Sequence, residues 1–164
     1  MSNQLPLDIR FHRLRPDAVI PTRGTPESTG LDLRIPTDGE TIIVRCGEVS
    51  KIHTGLAVNG MTLADDISQR FPGIPMGVDI NIRARSSIGA KGGIIVNAPG
   101  TIDADYTGEL IVLMTALVDD ITLEPGSKVA QLVVTPTFMV RATEGTGELR
   151  ATQRGTGGFG STGR

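Results

Sequence analysis

The stretch Gly77-Val78-Asp79-Ile80-Asn81-Ile82-Arg83-Ala84-Arg85-Ser86 alternates apolar Val78, Ile80, Ile82 and Ala84 with polar Asp79, Asn81, Arg83 and Arg85. A two-residue period sends successive side chains to opposite faces, so the stretch reads as a half-buried strand with one wet face. Leu31, Leu33 and Ile35 alternate with Asp32 and Arg34 in the same way, which should point Asp32 away from the core its neighbours fill. Leu110–Leu117 is apolar on both faces and reads as a central strand. Further β-branched runs at Thr41–Arg45, Val49–Val58, Gly93–Asn97 and Val129–Val140 are spaced by turns such as Thr37-Asp38-Gly39, Ala98-Pro99-Gly100 and Glu124-Pro125-Gly126. Many short strands between turns predict an all-β sandwich or jelly roll. Helix is expected only as a short segment within Thr62–Arg70 and as a turn after Arg85.

A chain of 164 residues and 17.3 kDa fits one domain of common size. Forty-five residues are Leu, Ile, Val or Phe, above the ~20% below which burial does not offset ordering entropy. Twenty-one Gly and ten Pro demand many turns and leave no room for long helices. A net charge of −2 is too balanced for a general polyanion-binding surface, so any phosphate chemistry must be local. One Tyr, four Phe and no Trp cannot build a run of stacking platforms, which argues against a nucleic-acid partner. The lone Cys46 excludes an intrachain disulfide framework and a multi-thiolate zinc site. The longest apolar run, Leu110–Val118, spans nine residues, against the ~18 a membrane helix needs. Neither a membrane partner nor a secretory signal in MSNQLPLDIRFHRLRP is therefore expected.

Four clusters carry polar groups that a core would not select. Arg85-Ser86-Ser87 follows a strand and precedes a helical turn, so it is either a strand end with capping serines or a place where N–H groups and hydroxyls bind phosphate. Asn97 to Tyr106 reads as a hairpin with Asp103, Asp105 and Tyr106 on its returning arm, acidic groups that are either solvated or functional. Gln131 interrupts the run Val129–Val134 as a packed, satisfied amide or as a ligand contact. The segment Arg141–Arg164 holds seven glycines and, as apolar side chains, only Ala142, Leu149, Ala151 and Phe159, so it forms no core element. It is a disordered tail, or else Arg154-Gly155-Thr156-Gly157-Gly158-Phe159-Gly160-Ser161-Thr162-Gly163 closes over a phosphorylated ring, one cation and one aromatic set among converging N–H groups.

In order, these clusters resemble the five motifs of the trimeric deoxyuridine triphosphate pyrophosphatases (dUTPases). The first is similar to Ser28-Thr29-Gly30-Leu31-Asp32-Leu33, the second to Arg85-Ser86-Ser87-Ile88-Gly89-Ala90-Lys91-Gly92 and the third to Gly100-Thr101-Ile102-Asp103-Ala104-Asp105-Tyr106-Thr107-Gly108. The fourth is similar to Gly126-Ser127-Lys128-Val129-Ala130-Gln131-Leu132, and the fifth is the glycine-rich tail. Departures are local: Ala84 stands where Pro usually precedes the second motif, Ser87 replaces a common Gly, and Ser127-Lys128 replaces Asp-Arg, exchanging a planar fork for a point charge. Asn59–Met76 resembles an insertion relative to compact members.

The resemblance implies a distorted jelly roll of the β-clip kind over residues 1–140 with a flexible arm over 141–164, assembled as a cytoplasmic homotrimer (host cytoplasm for a viral protein) with shared sites. It implies hydrolysis of dUTP to dUMP and pyrophosphate, limiting uracil in DNA. Asp103 matches the carboxylate that deprotonates the attacking water, and Asp32 matches a residue touching the water shell of a substrate-bridging Mg²⁺. Arg85, Ser86, Gln131 and Arg154 match phosphate contacts, with Ser87 beside them and Gly160 and Ser161 in the fifth motif. Asn97 and the backbone of Gly100, Thr101 and Ile102 would read uracil, Tyr106 would lie against the deoxyribose, and Phe159 would stack on the base. Deoxycytidine triphosphate deaminases, alone or bifunctional, share the scaffold but need a Glu where this chain has Leu113. A non-catalytic nucleotide sensor would not need Asp103 with a complete fifth motif, and a purely structural domain would leave Arg154 and Phe159 unexplained.

Overall fold

The computed structural model describes residues 7–157. Chain order is β1 (Arg10–Arg13), β2 (Thr22–Arg23), β3 (Leu31–Arg34), β4 (Ile42–Val44), β5 (Ser50–His53), β6 (Leu56–Asn59), α1 (Gly60–Arg70), β7 (Met76–Arg83), α2 (Ser86–Gly89), β8 (Gly93–Ile95), β9 (Gly100–Ile102), β10 (Ile111–Ala116), β11 (Ile121–Leu123) and β12 (Lys128–Phe138). The largest sheet has the order β2-β3-β12-β7-β9, a second runs β5-β10-β8, and β1-β6 and β11-β4 form ribbons, all antiparallel. This is the all-β, jelly-roll-like architecture that short strands and frequent turns predict. A continuous core takes Leu33, Ile80 and Leu132 from the large sheet, Ile52, Val112 and Met114 from the second, and Leu63 and Ile67 from α1. Among the described residues no helix is long and apolar enough to cross a membrane.

Strand β7 keeps its period, with Val78, Ile80 and Ile82 in the core, but its polar face is not wet throughout. Asn81 is only 3% exposed, because β9 lies alongside it. Its Nδ2 donates to Asp79 Oδ2 (2.6 Å) and its Oδ1 accepts from Thr101 Oγ1 (3.2 Å), so the buried amide is satisfied at both ends. Strand β10 is central to its sheet, as its two apolar faces require. The run Val49–Val58 breaks at Thr54-Gly55, and β5 and β6 join different sheets. The expected hairpin over Asn97–Tyr106 is also a crossing: β8 pairs with β10, whereas β9 pairs with β7. Turn residues reverse the chain, but each arm finds its hydrogen-bond partner on a different sheet, leaving a gap between the two.

Helix α1 begins at Gly60, ahead of the expected Thr62, because Asn59 Oδ1 accepts from the Thr62 N–H (3.1 Å) and caps it. Leu63 and Ile67, one turn apart, bury its inner face, and it packs on β7. The insertion-like segment Asn59–Met76 thus contributes Leu63 and Ile67 to the core. Residues 141–156 are exposed and carry no strand or helix.

A corner of the body is clasped by charge. Arg15 Nε and Nη2 donate to Asp17 Oδ1 (2.6 Å) and Oδ2 (2.8 Å), and the Asp38 N–H also donates to Oδ2 (3.0 Å). Hydrogen bonding from the Arg15 guanidinium holds the Asp17 carboxyl below the usual carboxylate range. The clasp therefore stabilises the fold above that range and loses its contribution as pH falls through the lowered value. Asp17→Asn should unfold at lower urea than the parent at pH 7, with the two midpoints converging as the pH falls below the usual carboxylate range. A gap constant over that interval would refute the ionic origin.

Candidate active site

The first cleft, about 210 Å³, forms where β3, β12 and the start of α2 meet, and is lined by Ser28, Gly30, Asp32, Arg85, Ser86, Lys128 and Gln131 among others. Its chemistry depends on a β-bulge between Lys128 and Ala130. The extra residue lets Val129 and Ala130 both enter the core while Lys128 and Gln131 both reach the cleft, a re-aiming that regular alternation forbids. Asp32, directly opposite Gln131, is turned from the apolar core yet does not face solvent: it is 8% exposed. Its Oδ1 forms an ion pair with Arg85 Nε (3.0 Å) and its Oδ2 one with Lys128 Nζ (2.6 Å). Asp32 thus points away from the core, as its strand period requires, and two cations cover it. One carboxylate between two cations leaves the cleft a net positive charge, and binding Arg85 through Nε leaves its two terminal nitrogens for an anion.

Gln131 is half-buried, and its Nε2 donates to the Ala84 carbonyl (2.8 Å). Gly30 makes this pose possible, since a Cβ there would overlap the Gln131 side chain. Ser86 reaches the cleft, at the first turn of α2 where N–H groups lack intrahelical acceptors. Ser87 is exposed and does not line it.

The second cleft, about 350 Å³, occupies the gap between the two arms of the crossing. Asn97, Thr101, Ile102, Asp103 and Tyr106 line it, and the half-buried face of β10 contributes Ile111 and Leu113. Gly100 is buried beneath, close enough to Asn97 that a Cβ would stand 3.1 Å from its Nδ2. Asp103 is exposed, and among the described residues no hydrogen bond or ion pair occupies its carboxylate. Its lone pairs are available to a water. Lys51 and Glu109 also line this cleft and were not singled out from sequence. Lys51 comes from a strand with no motif, so no local signal marks it; Glu109 directly follows the third motif and was within reach.

One chain does not bring the two clefts together. Ile80 pairs with Ile102 in antiparallel register, which carries Asp103, one residue past β9, to the level of Asp79, and Arg85 lies six residues further on, two beyond the end of β7. At ~3.3 Å per residue the two ends stand roughly 20 Å apart. Arg154 joins neither cleft: it is exposed, and its Nε donates to the Gly157 carbonyl (2.9 Å). Phe159, Gly160 and Ser161 lie outside the described residues.

Among the described residues no group of three or more His, Cys, Asp or Glu could hold an ion, and both Asp32 oxygens already face cations. These residues fit a hydrated ion carried on a polyphosphate, touched through water, rather than a protein cage.

The dUTPase family model matches residues 68–163. The chain is 37% identical over 153 residues to the deoxyuridine 5'-triphosphate nucleotidohydrolase of Hydrogenobaculum sp. strain Y04AAS1, covering 92% of this chain and 94% of the relative. It is 38% identical over 155 residues to the enzyme of the same name from Chlamydia trachomatis serovar L2, covering 93% and 97%. Among solved structures, the Staphylococcus bacteriophage 80alpha dUTPase with dUPNHPP shares the fold at a TM-score of 0.75 and 22% identity, over 96% of this chain and 99% of that one. The matched span holds the second to fifth motifs, and the chain belongs to the dUTPase family.

Proposed function

We propose that the protein hydrolyses dUTP to dUMP and pyrophosphate, water attacking the α-phosphorus. The observation that carries this reading is the pairing of a nucleoside-sized cleft, with an unoccupied carboxylate at its rim, and a separate cationic cleft on the same scaffold. Asp103 holds the water and takes its proton, and as the bond to the leaving pyrophosphate breaks, the negative charge moves toward donors in the other cleft. Arg85, Ser86 and Gln131 supply those donors, with Ser87 at the same helix start and Lys128 as a further positive charge. Asn97 and the backbone of Gly100, Thr101 and Ile102 read the uracil edge, and Tyr106 lies against the deoxyribose. The position at which a deaminase needs a carboxylate is Leu113, on the apolar face of β10, which favours hydrolysis over deamination.

Two clefts ~20 Å apart in one chain cannot grip one triphosphate ester. We infer a homotrimer in which Asp103 of one copy faces Arg85 of another, a closed ring of repeated heterologous contacts. Residues 1–140 would form the body and 141–164 an arm whose Arg154, Phe159, Gly160 and Ser161 complete a neighbouring site. Among the described residues Arg154 bonds within its own arm and residues 141–156 are exposed, which supports this. Mg²⁺, when bound with the triphosphate, supplies charge neutralisation, and Asp32 would touch its water shell only by sharing its oxygens with Arg85 and Lys128.

Asp103→Asn should keep affinity for a non-hydrolysable dUTP analogue within a few-fold while lowering turnover at least ~10²-fold, since an amide still accepts from water but cannot take its proton. Wild-type turnover would remove Asp103 from the mechanism. Subunit mixing tests the shared site. Equal amounts of inactive Asp103→Asn and inactive Arg85→Ala chains, refolded together, should recover about a quarter of wild-type activity, because that fraction of interfaces draws both intact residues. No recovery, or a monomer in sedimentation, refutes the shared site.

A further inference from the structure

Glu109 lines the nucleoside cleft with no role in the chemistry above, and His53 and Gly108 are its neighbours. Glu109 has both carboxylate oxygens engaged: His53 Nδ1–H donates to Oε2 (2.7 Å) and the Gly55 N–H donates to Oε1 (2.7 Å). Both donors belong to the corner between β5 and β6, more than fifty residues away in sequence. The next residue is bound to the same corner, as Thr54 Oγ1 donates to the Leu110 carbonyl (2.7 Å) and the Leu110 N–H donates to Leu56 O (2.7 Å). The segment Glu109-Leu110 is thereby stapled in place. It carries one contact outward: the Tyr106 hydroxyl donates to the Glu109 carbonyl (3.1 Å). The ring lies back over Gly108, where a Cβ would overlap it.

Tyr106 is 43% exposed, so packing alone does not hold it. Its pose comes from that hydroxyl contact and from the space above Gly108. We propose that Glu109 is a positioning residue that fixes the pose of Tyr106 through this staple and so sets discrimination between a 2′-deoxyribose and a ribose. The carboxylate matters because an ionised acceptor makes the shorter, stronger bonds. Without it the Gly55 N–H loses its partner, the 108–110 segment shifts, and the ring gives way to a 2′-hydroxyl.

This proposal rests on the dUTP reading for its selectivity half, and a spectroscopic arm separates the two. The chain has one Tyr and no Trp, so the tyrosine near-ultraviolet circular dichroism reports the Tyr106 ring alone. Glu109→Ala should lose more than about half of that band with the far-ultraviolet spectrum unchanged. It should also lower the dUTP to UTP ratio of kcat/KM at least about tenfold, through better use of UTP, whereas Glu109→Gln, whose amide oxygen still accepts from the Gly55 N–H while its NH2 donates to Nδ1 of the other His53 tautomer, stays within about threefold. A merely structural role would lower both substrates alike. If Glu109→Ala does not fold, Tyr106→Phe, which removes only the hydroxyl contact, must by itself lower the ratio about fivefold. An unchanged band or an unchanged ratio overturns the proposal. Wild-type protein inert toward dUTP, with the band still lost in Glu109→Ala, overturns the activity and leaves the staple standing.

Discussion

The antiparallel register of β7 between β12 and β9 is the constraint from which the rest of the molecule follows. One face of this strand supplies Val78, Ile80 and Ile82 to the core, so sliding it by a single residue would turn those side chains out and the polar ones in. Burial therefore locks the strand, and with it the places of everything attached. Its end delivers Arg85 to the cationic cleft, and its pairing with β9 delivers Asp103 to the other. Apolar packing, which is blind to phosphate, sets the spacing of the groups proposed to handle it.

Charge is managed differently at the two ends. Around Asp32 the cations and the carboxylate are mutually satisfied, which makes sheltering them tolerable and holds Arg85 and Lys128 ready before any anion arrives. Asp103 has no such partner, and it stays in contact with solvent. A paired cluster is suited to holding ligand charge in a fixed geometry, and an unpaired carboxylate to exchanging a proton. The bulge at Lys128–Ala130 belongs to the first arrangement, because without it one of Lys128 and Gln131 would be lost to the core side.

Local features were readable from the chain, and pairings between distant segments were not. The two-residue periods at Leu31–Ile35 and Gly77–Ser86 announce β3 and β7, and the all-apolar run at Leu110–Leu117 announces a central strand, because these signals lie within each segment. The burial of Asn81 and the covering of Asp32 are not legible locally, since what covers them comes from β9, Arg85 and Lys128, far along the sequence. Ala98-Pro99-Gly100 correctly marks a reversal, but turn chemistry is silent on which sheet the next strand will join. The motif order exposes Arg85, Ser86, Gln131, Asn97 and Asp103 as candidates. That they divide between two clefts is visible only through the register.

Gly60, the first residue of α1, presses so closely on Ala104 that a Cβ would come within 2.7 Å of its backbone. The next residue toward the site is Asp103, while further along the same helix Leu63 and Ile67 are sunk in the core. A segment that resembles an optional insertion has thus become a mechanical link between the interior and the proposed base. Selection for robustness and selection for speed act on the same few side chains here. A change at Leu63 or Ile67 that moved the helix would also move Gly60 against Ala104, so core packing and the seating of Asp103 are coupled through one backbone contact and the helix is no neutral site for grafting.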